Sequence, residues 1–193
     1  MKAIIIGFAL TATLITACGN DNTASKETIE TSSDTATANT QTNNTASVQP
    51  AAVDDVVTSY IQLKNALAND NGNEAASAGK QISQAMAQLD GASFSEDQKK
   101  MYNDVKDDMK EHAKHISDNG NKIEHQREHF DMLSKSMYDL VKVSKPSQTL
   151  YLDHCPMYND NKGANWLSEV KEIRNPYLGK KMPDCGEVKE EIK

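Results

Sequence analysis

Apolar residues recur every three or four positions along four successive stretches of the chain. This spacing places them on one face of an α-helix. The stretches run from Val53 to Leu67, Ala75 to Leu89, Met101 to Ile116 and Ile123 to Leu140. Each stretch is long enough for several helical turns, so the pattern predicts four amphipathic helices.

Short turn signals separate these stretches and indicate how the helices are connected. Ser95 and Gln98 have the spacing of a capping box at the start of the third helix. Short connections favour antiparallel neighbours. We therefore predict a mainly α fold, an antiparallel four-helix bundle with an irregular C-terminal cap. The separating residues are Asp70-Asn71-Gly72, Gly91, Asn119-Gly120-Asn121 and Pro146.

The helical spacing stops where the predicted cap begins, at about residue 146, and does not return before residue 193. Leu150-Tyr151-Leu152 favours a short strand, and the residues from Ala164 to Ile173 allow one short helix. Turn-forming residues at Asp160-Asn161-Lys162-Gly163 and Asn175-Pro176-Tyr177 interrupt the segment. Such a segment has little core of its own, so it needs a covalent staple or close docking against the helices.

The N-terminus has the features of a secreted protein. Lys2 precedes an apolar run, Ala3 to Ile15, which is too short to span a bilayer. The run ends in Leu14-Ile15-Thr16-Ala17-Cys18, which resembles a bacterial lipobox. We predict a lipoprotein signal peptide at residues 1–17 and lipidation of Cys18, which would anchor the protein to a membrane on its extracytoplasmic side. We favour the outer membrane over the inner membrane.

The remaining chain divides into a tether and one folded domain. Residues 18–50 are rich in Thr, Ser and Asn, and such a segment buries too little apolar surface to fold, so we predict a disordered tether. Residues 51–193 form the predicted helical domain with its cap. The net charge of the chain is −7, without a basic patch, which argues against nucleic acid as a partner.

The sequence does not favour an enzyme. It contains no Gly-x-Ser-x-Gly elbow, no phosphate-binding glycine loop, no His-Glu-x-x-His and no Cys-x-x-Cys. His154-Cys155 matches the start of a phosphatase loop, but Asn161 stands where that loop needs arginine. We predict that the protein is not an enzyme and has no catalytic residues.

The sequence contains six short motifs: Tyr60 to Leu67, Gln126 to Ser134, Cys155-Pro156-Met157, Gly163 to Ser168, Asn175-Pro176-Tyr177 and Met182 to Gly186. Together they resemble a family of bacterial lipoproteins of unknown function. The same domain occurs at the C-terminus of periplasmic adaptor subunits of RND-type heavy-metal (copper/silver) efflux pumps. The resemblance implies a setting of metal efflux or metal handling, with such a pump as a candidate partner, and it implies no catalytic residues.

The cap holds the first candidate metal site. Cys155 and Met157 lie near one end of it, and Met182 and Cys185 near the other, with His154 beside the first cysteine. Outside the cytoplasm two cysteines most often pair, which favours a disulfide. Thiolates and thioethers are also soft ligands that suit Cu(I), and the efflux setting favours that alternative. Both interpretations remain open from the sequence.

Four histidines form a second, weaker candidate site. His112 and His115 precede the Asn119-Gly120-Asn121 turn, and His125 and His129 follow it. Each pair is three or four residues apart and therefore shares a helix face. A hairpin at the turn brings the pairs level, which would suit Cu(II), Zn(II) or Ni(II). The alternative is that His112 packs in the core and that the others face solvent.

These observations predict a membrane-anchored extracytoplasmic lipoprotein that binds a soft or borderline metal ion, with copper favoured, in support of heavy-metal efflux or resistance. The alternative function is a protein-interaction module in which the cysteines form only a staple. In that case we expect the interaction surface to include Trp166, Asn175, Pro176 and Tyr177.

Overall fold

The computed structural model describes residues 48–89 and 91–193. The predicted signal peptide, the Cys18 lipidation site and nearly all of the predicted tether lie outside the described residues. None of the described helices is both long and apolar enough to cross a membrane. The described part is mainly helical, and the predicted fold class is confirmed.

Four long helices form most of the described part of the chain. They are α1 (Val48–Ala68), α2 (Gly72–Gln88), α3 (Glu96–Asp118) and α4 (Ile123–Ser144). Each helix packs against the next along the chain, and α4 also packs against α1. Gly79 allows α2 to approach α3 closely, because a Cβ atom at this position would lie 2.8 Å from the carbonyl oxygen of Ala113.

The helix ends follow the turn chemistry of the sequence. The predicted capping box at the start of α3 is confirmed: the Ser95 hydroxyl accepts from the Gln98 amide N–H, and the Gln98 side chain accepts from the Ser95 N–H at 2.9 Å. The Asn71 side chain accepts from the Glu74 N–H at the start of α2. Lys145 adopts a left-handed conformation, with φ of 52°, and ends α4 before Pro146.

The cap is built on a three-stranded antiparallel sheet. Its strands are β1 (Leu150–Cys155), β2 (Ala164–Ser168) and β3 (Glu187–Ile192), in the order β2-β1-β3. A four-residue helical turn, α5 (Tyr158–Asn161), lies between β1 and β2, and a 3-10 turn (Gly179–Lys181) precedes β3. The predicted strand at Leu150-Tyr151-Leu152 is therefore confirmed as the start of β1.

The prediction that a short helix could form between Ala164 and Ile173 is wrong. Residues 164–168 form β2, and bends follow them. Here pairing with a strand distant in sequence prevails over local helical spacing, since Trp166 lies opposite Asp153 and Leu167 opposite Leu152.

Tyrosine hydroxyl groups attach the sheet to the bundle and the cap core. The outer edge of β2 packs against α4 and α1. The Leu167 N–H on this edge donates to the Tyr60 hydroxyl oxygen at 3.1 Å, and that hydroxyl also bonds Ser134 Oγ at 2.7 Å. The Tyr177 hydroxyl donates to the Asn165 carbonyl oxygen at 2.6 Å. Side chains thereby satisfy two backbone groups on this unpaired edge of the sheet.

Candidate metal centre

The four bundle histidines lie at the end of the α3–α4 hairpin. His112 and His115 occupy the last two turns of α3, and His125 and His129 the first two turns of α4. The short turn between Asp118 and Ile123 sets the two helices in register, so that the predicted cluster forms. His115 is exposed and the other three imidazoles are partly buried, which leaves the cluster accessible from solvent.

Three of these imidazoles are close enough to share one ion. His115, His125 and His129 each offer a nitrogen atom, and these atoms all lie within 4.8 Å of one another. Nitrogens bound at 2.0–2.1 Å to one tetrahedral ion lie roughly 3.3 Å apart, so the pairwise separations need to shorten by about 1.5 Å at most. Rotation of the side chains provides a change of this size. The rings of His115 and His129 already stack, with centroids 4.3 Å apart.

His112 is the fourth member of the cluster and contacts His129. The Nδ1 atoms of the two rings are 3.1 Å apart, so one ring donates a hydrogen bond to the other. Metal-bound imidazoles commonly donate their second ring N–H to a neighbour that orients them. His112 is therefore placed to orient His129.

The electrostatic environment keeps this part of the cluster neutral. Burial, together with the neighbouring His115, His125 and His112, lowers the pKa of His129 to about 4. Burial also lowers the pKa of His112. Only a neutral imidazole has the free lone pair that binds a metal. His129 is already neutral at neutral pH, so it does not have to release a proton when it binds an ion.

A buried amide fixes the two helix ends that carry the histidines. Gln126 is fully buried, and its Nε2 donates to the carbonyl oxygens of Ile116 in α3, at 3.0 Å, and Gly72 in α2, at 2.9 Å. The histidines thus stand on rigid helical backbone rather than on a loop, which favours a preformed site. Gln126 is the first residue of the Gln126 to Ser134 motif, but no role was predicted for it from the sequence.

The two cap cysteines also come together. Cys155, the last residue of β1, is fully buried, and Cys185 precedes β3. Both are thiols, and their Sγ atoms are 2.9 Å apart. Two thiolates bound at about 2.3 Å to one tetrahedral ion lie roughly 3.8 Å apart, so a shared ion would require the sulfurs to separate.

The other residues of the predicted thiol site contribute less. Met157 is half exposed, and its backbone forms a hydrogen bond with the Cys185 thiol. The Met182 carbonyl oxygen accepts from the Cys185 N–H at 3.3 Å. His154 points to the other face of β1 from Cys155, because neighbouring strand residues alternate. Its Nδ1 bonds Asn165 Oδ1 at 2.7 Å, so the structure does not group it with the thiols.

The predicted interaction surface is corrected by the structure. Trp166, Asn175, Pro176 and Tyr177 are all buried and form the core of the cap. The Trp166 and Tyr177 rings meet edge to face, with centroids 5.9 Å apart. Large aromatic residues in a short segment with little periodic core serve to fold it, so these four side chains are not available to a partner.

Comparisons with known proteins cover the bundle but not the cap. Residues 56–149, slightly less than half the chain, match the family described as Protein of unknown function (DUF3347). The matched region includes all four histidines of the cluster and ends before the two cap cysteines. No curated protein and no solved structure shows significant similarity to the chain.

Proposed function

We propose that this protein binds a borderline transition-metal ion, with Cu(II) favoured over Zn(II) and Ni(II), through the imidazoles of His115, His125 and His129. The observation that carries the proposal is the approach of three ligand nitrogens to within 4.8 Å of one another. Imidazole suits these ions, and Cu(II) binds most strongly among the divalent first-row metals at a given nitrogen site.

The setting of this site is part of the proposal. The lipobox-like sequence ending at Cys18 supports a lipid-anchored protein on the extracytoplasmic side of the membrane, and residues 18–50 would let the domain extend from that surface. The motifs that resemble the adaptor-linked domain support a role in heavy-metal efflux or resistance. The protein would then capture a metal ion at the membrane surface, with an RND-type pump as a candidate partner.

A competition titration tests the site. The soluble form that begins after Cys18 is titrated with Cu(II), Zn(II) and Ni(II) against a coloured chelator. In the titrations with Zn(II) and Ni(II), a reductant keeps the cysteines in the thiol form. We expect one ion per chain. His115→Gln and His129→Gln should each weaken binding at least about tenfold, as loss of one ligand does.

The chain provides its own matched control for that titration. His154 is the one histidine outside the cluster, so His154→Gln removes an imidazole of the same type without touching the site. Its affinity should equal that of the wild type. Equal loss of affinity in all three variants, or no loss in the cluster variants, would contradict the proposal.

A second candidate function keeps the cysteines as a staple in a protein-interaction module. The approach of the two Sγ atoms to 2.9 Å favours the staple. A partner would need a surface other than the buried Trp166 and Asn175-Pro176-Tyr177 set. Cells that carry His115→Gln and retain full metal tolerance would favour this alternative over metal binding.

A further inference from the structure

We infer that Cys155 and Cys185 form an intramolecular disulfide in the mature protein, and that this bond locks the C-terminal sheet in its folded form. The inference does not rest on metal binding at the histidines. It also assigns the thiols a covalent role in place of metal binding, because a disulfide sulfur is a poor ligand.

The close packing around Cys155 favours a covalent bond over a bridging ion. The Sγ atoms are 2.9 Å apart. A disulfide needs them about 0.9 Å closer, and a shared tetrahedral ion needs them about 0.9 Å farther apart. Closing this gap requires only small rotations, whereas opening it pushes Cys155 into a fully buried surrounding. Close-packed interiors resist such expansion.

Sheet register brings the two residues together. His154 in β1 pairs with Glu187 in β3. Cys155 directly follows His154, and Cys185 lies two residues before Glu187, so this pair holds the two cysteines near each other. Gly186 lies between Cys185 and β3 with φ of 151°, and a Cβ atom there would come within 2.9 Å of Trp166. Only glycine fits this close turn, which directs Cys185 back towards β1.

A buried asparagine holds the segment that carries Cys185. The Asn175 Nδ2 group donates to the Cys185 carbonyl oxygen at 2.6 Å, and the Asn175 N–H donates to the Pro183 carbonyl oxygen at 2.8 Å. The Asn175 Oδ1 atom accepts from the N–H groups of Tyr177 and Leu178. Three hydrogen bonds of this side chain therefore position the loop, and the one from Nδ2 would have to break for Cys185 to move away.

The difference in exposure of the two thiols sets the order in which they react with an oxidant. Burial and the hydrogen bond with Cys155 raise the pKa of Cys185 to about 11, so little thiolate is present at neutral pH and oxidation requires a disulfide with a good leaving thiolate. The co-reactant is a disulfide of an extracytoplasmic thiol oxidoreductase. Cys185, the more accessible residue, loses its proton and attacks that disulfide, forming a mixed disulfide and releasing one thiolate of the oxidant.

The second step closes the ring. Cys155 loses its proton and attacks Cys185 Sγ, which breaks the mixed disulfide and releases the second thiolate of the oxidant. The two thiolates of the oxidoreductase take up the two protons that the cysteines lost, which gives a dithiol. The disulfide of the oxidoreductase is thus reduced, and this chain is oxidised by two electrons. The bond joins residues 30 positions apart and encloses β2 and most of the cap core.

Thiol trapping on protein taken directly from the cell envelope tests the inference. The sample is denatured and alkylated before reduction, and again after reduction with a second reagent of different mass. We expect Cys155 and Cys185 to carry only the second label, and a digest without reductant to contain one peptide pair joined through these residues. Recovery of both thiols with the first label, or pairing with another chain, would overturn the inference.

Thermal unfolding supplies a second test and its control. Reductant should lower the melting temperature of the wild type by about 6–12 °C, as expected for closure of a loop of this size in a domain of this size. Reductant should not change the melting temperature of a variant carrying both Cys155→Ala and Cys185→Ala. An equal effect of reductant on both proteins would contradict the staple. Metal binding at the histidines should persist in the double variant, so failure of one proposal is distinguishable from failure of the other.

Discussion

Arg127 connects the bundle to the cap and provides a sharp test of how the two are held together. Its side chain is 5% exposed. The Nε atom donates to the Pro176 carbonyl oxygen in the cap at 2.9 Å, and Nη2 donates to the Leu67 carbonyl oxygen near the end of α1 at 3.1 Å. The same Nη2 forms an ion pair with Asp70 at 2.5 Å. The perturbation we consider is Arg127→Lys, which keeps the charge and removes the planar fork.

The magnitude follows from the bonds that lysine cannot replace. An ammonium group reaches one of these directions well, so at least one of the hydrogen bonds to the Leu67 and Pro176 carbonyl oxygens is lost. The Leu67 oxygen keeps a second donor, the Asp70 N–H at 3.1 Å, so the larger loss is the bond to Pro176. A hydrogen bond to a charged group contributes about 1.5–3 kcal/mol, and the weakened ion pair with Asp70 adds to this. Glu124 is mostly exposed and adds little. We expect Arg127→Lys to lower the free energy of unfolding by about 2–5 kcal/mol.

Urea denaturation followed by circular dichroism measures this loss. Chelator and a fixed redox buffer keep metal binding and thiol chemistry constant between variants. Arg174→Lys is the matched control, since Arg174 is the only other arginine of the chain, is exposed, and forms a loose 3.6 Å pair with Glu172. Its effect should stay below about 0.5 kcal/mol. A loss below about 1 kcal/mol for Arg127→Lys, or equal losses for both variants, would refute the role assigned to Arg127.

Three further predictions concern the cap, its docking and the anchor. Burial raises the pKa of Asp153 to about 7, so the folded protein holds a proton that the unfolded chain has released, and stability should fall as pH rises from about 4 to 7. Asp153→Asn should therefore raise the melting temperature more at pH 8 than at pH 5, and equal shifts would contradict this. Tyr60→Phe leaves the Leu167 N–H without its acceptor and should cost about 1–3 kcal/mol in urea denaturation; an unchanged midpoint would contradict the docking role. Cys18→Ser should move the protein from the membrane fraction to the soluble fraction, and unchanged membrane association would count against lipidation.

The helical half of the fold was predictable because its signals are local. The spacing of apolar residues gave the four helices, and Ser95 with Gln98 identified the start of α3 from the chemistry of one turn. The histidine cluster followed from the same local rules. A short turn between two helices with side chains three and four residues apart leaves little freedom in how His115 and His125 meet.

The cap was less predictable because its order depends on contacts between residues far apart in sequence. The interval from Ala164 to Ile173 carries too few apolar positions to separate helix from strand, and pairing with β1 decides it. The alternative function, a protein-interaction module, placed Trp166 and Tyr177 on the surface, since nothing in their spacing indicates a buried face. They are buried because the cap must form its core from a few large side chains.

Local sequence patterns also could not predict the distance between the two cysteines. The sequence left the disulfide and the soft-metal site open, because both need the two ends of the cap to meet. The pairing of β1 with β3 and the turn at Gly186 bring them together. With the fold known, the close packing around the fully buried Cys155 favours a covalent bond over a shared ion.

X-ray absorption on the metal-loaded protein tests the central claim most directly. The protein is loaded with one equivalent of Zn(II) in the presence of reductant, so that the histidine cluster and the free thiols compete for the ion. Metal binding at the cluster predicts three imidazole nitrogens at about 2.0–2.1 Å, with no sulfur among the ligands. His129→Gln should reduce the number of imidazoles, and His154→Gln should not. A shell of sulfur at about 2.3 Å, or a shell of oxygen alone, would contradict the claim that His115, His125 and His129 hold the metal.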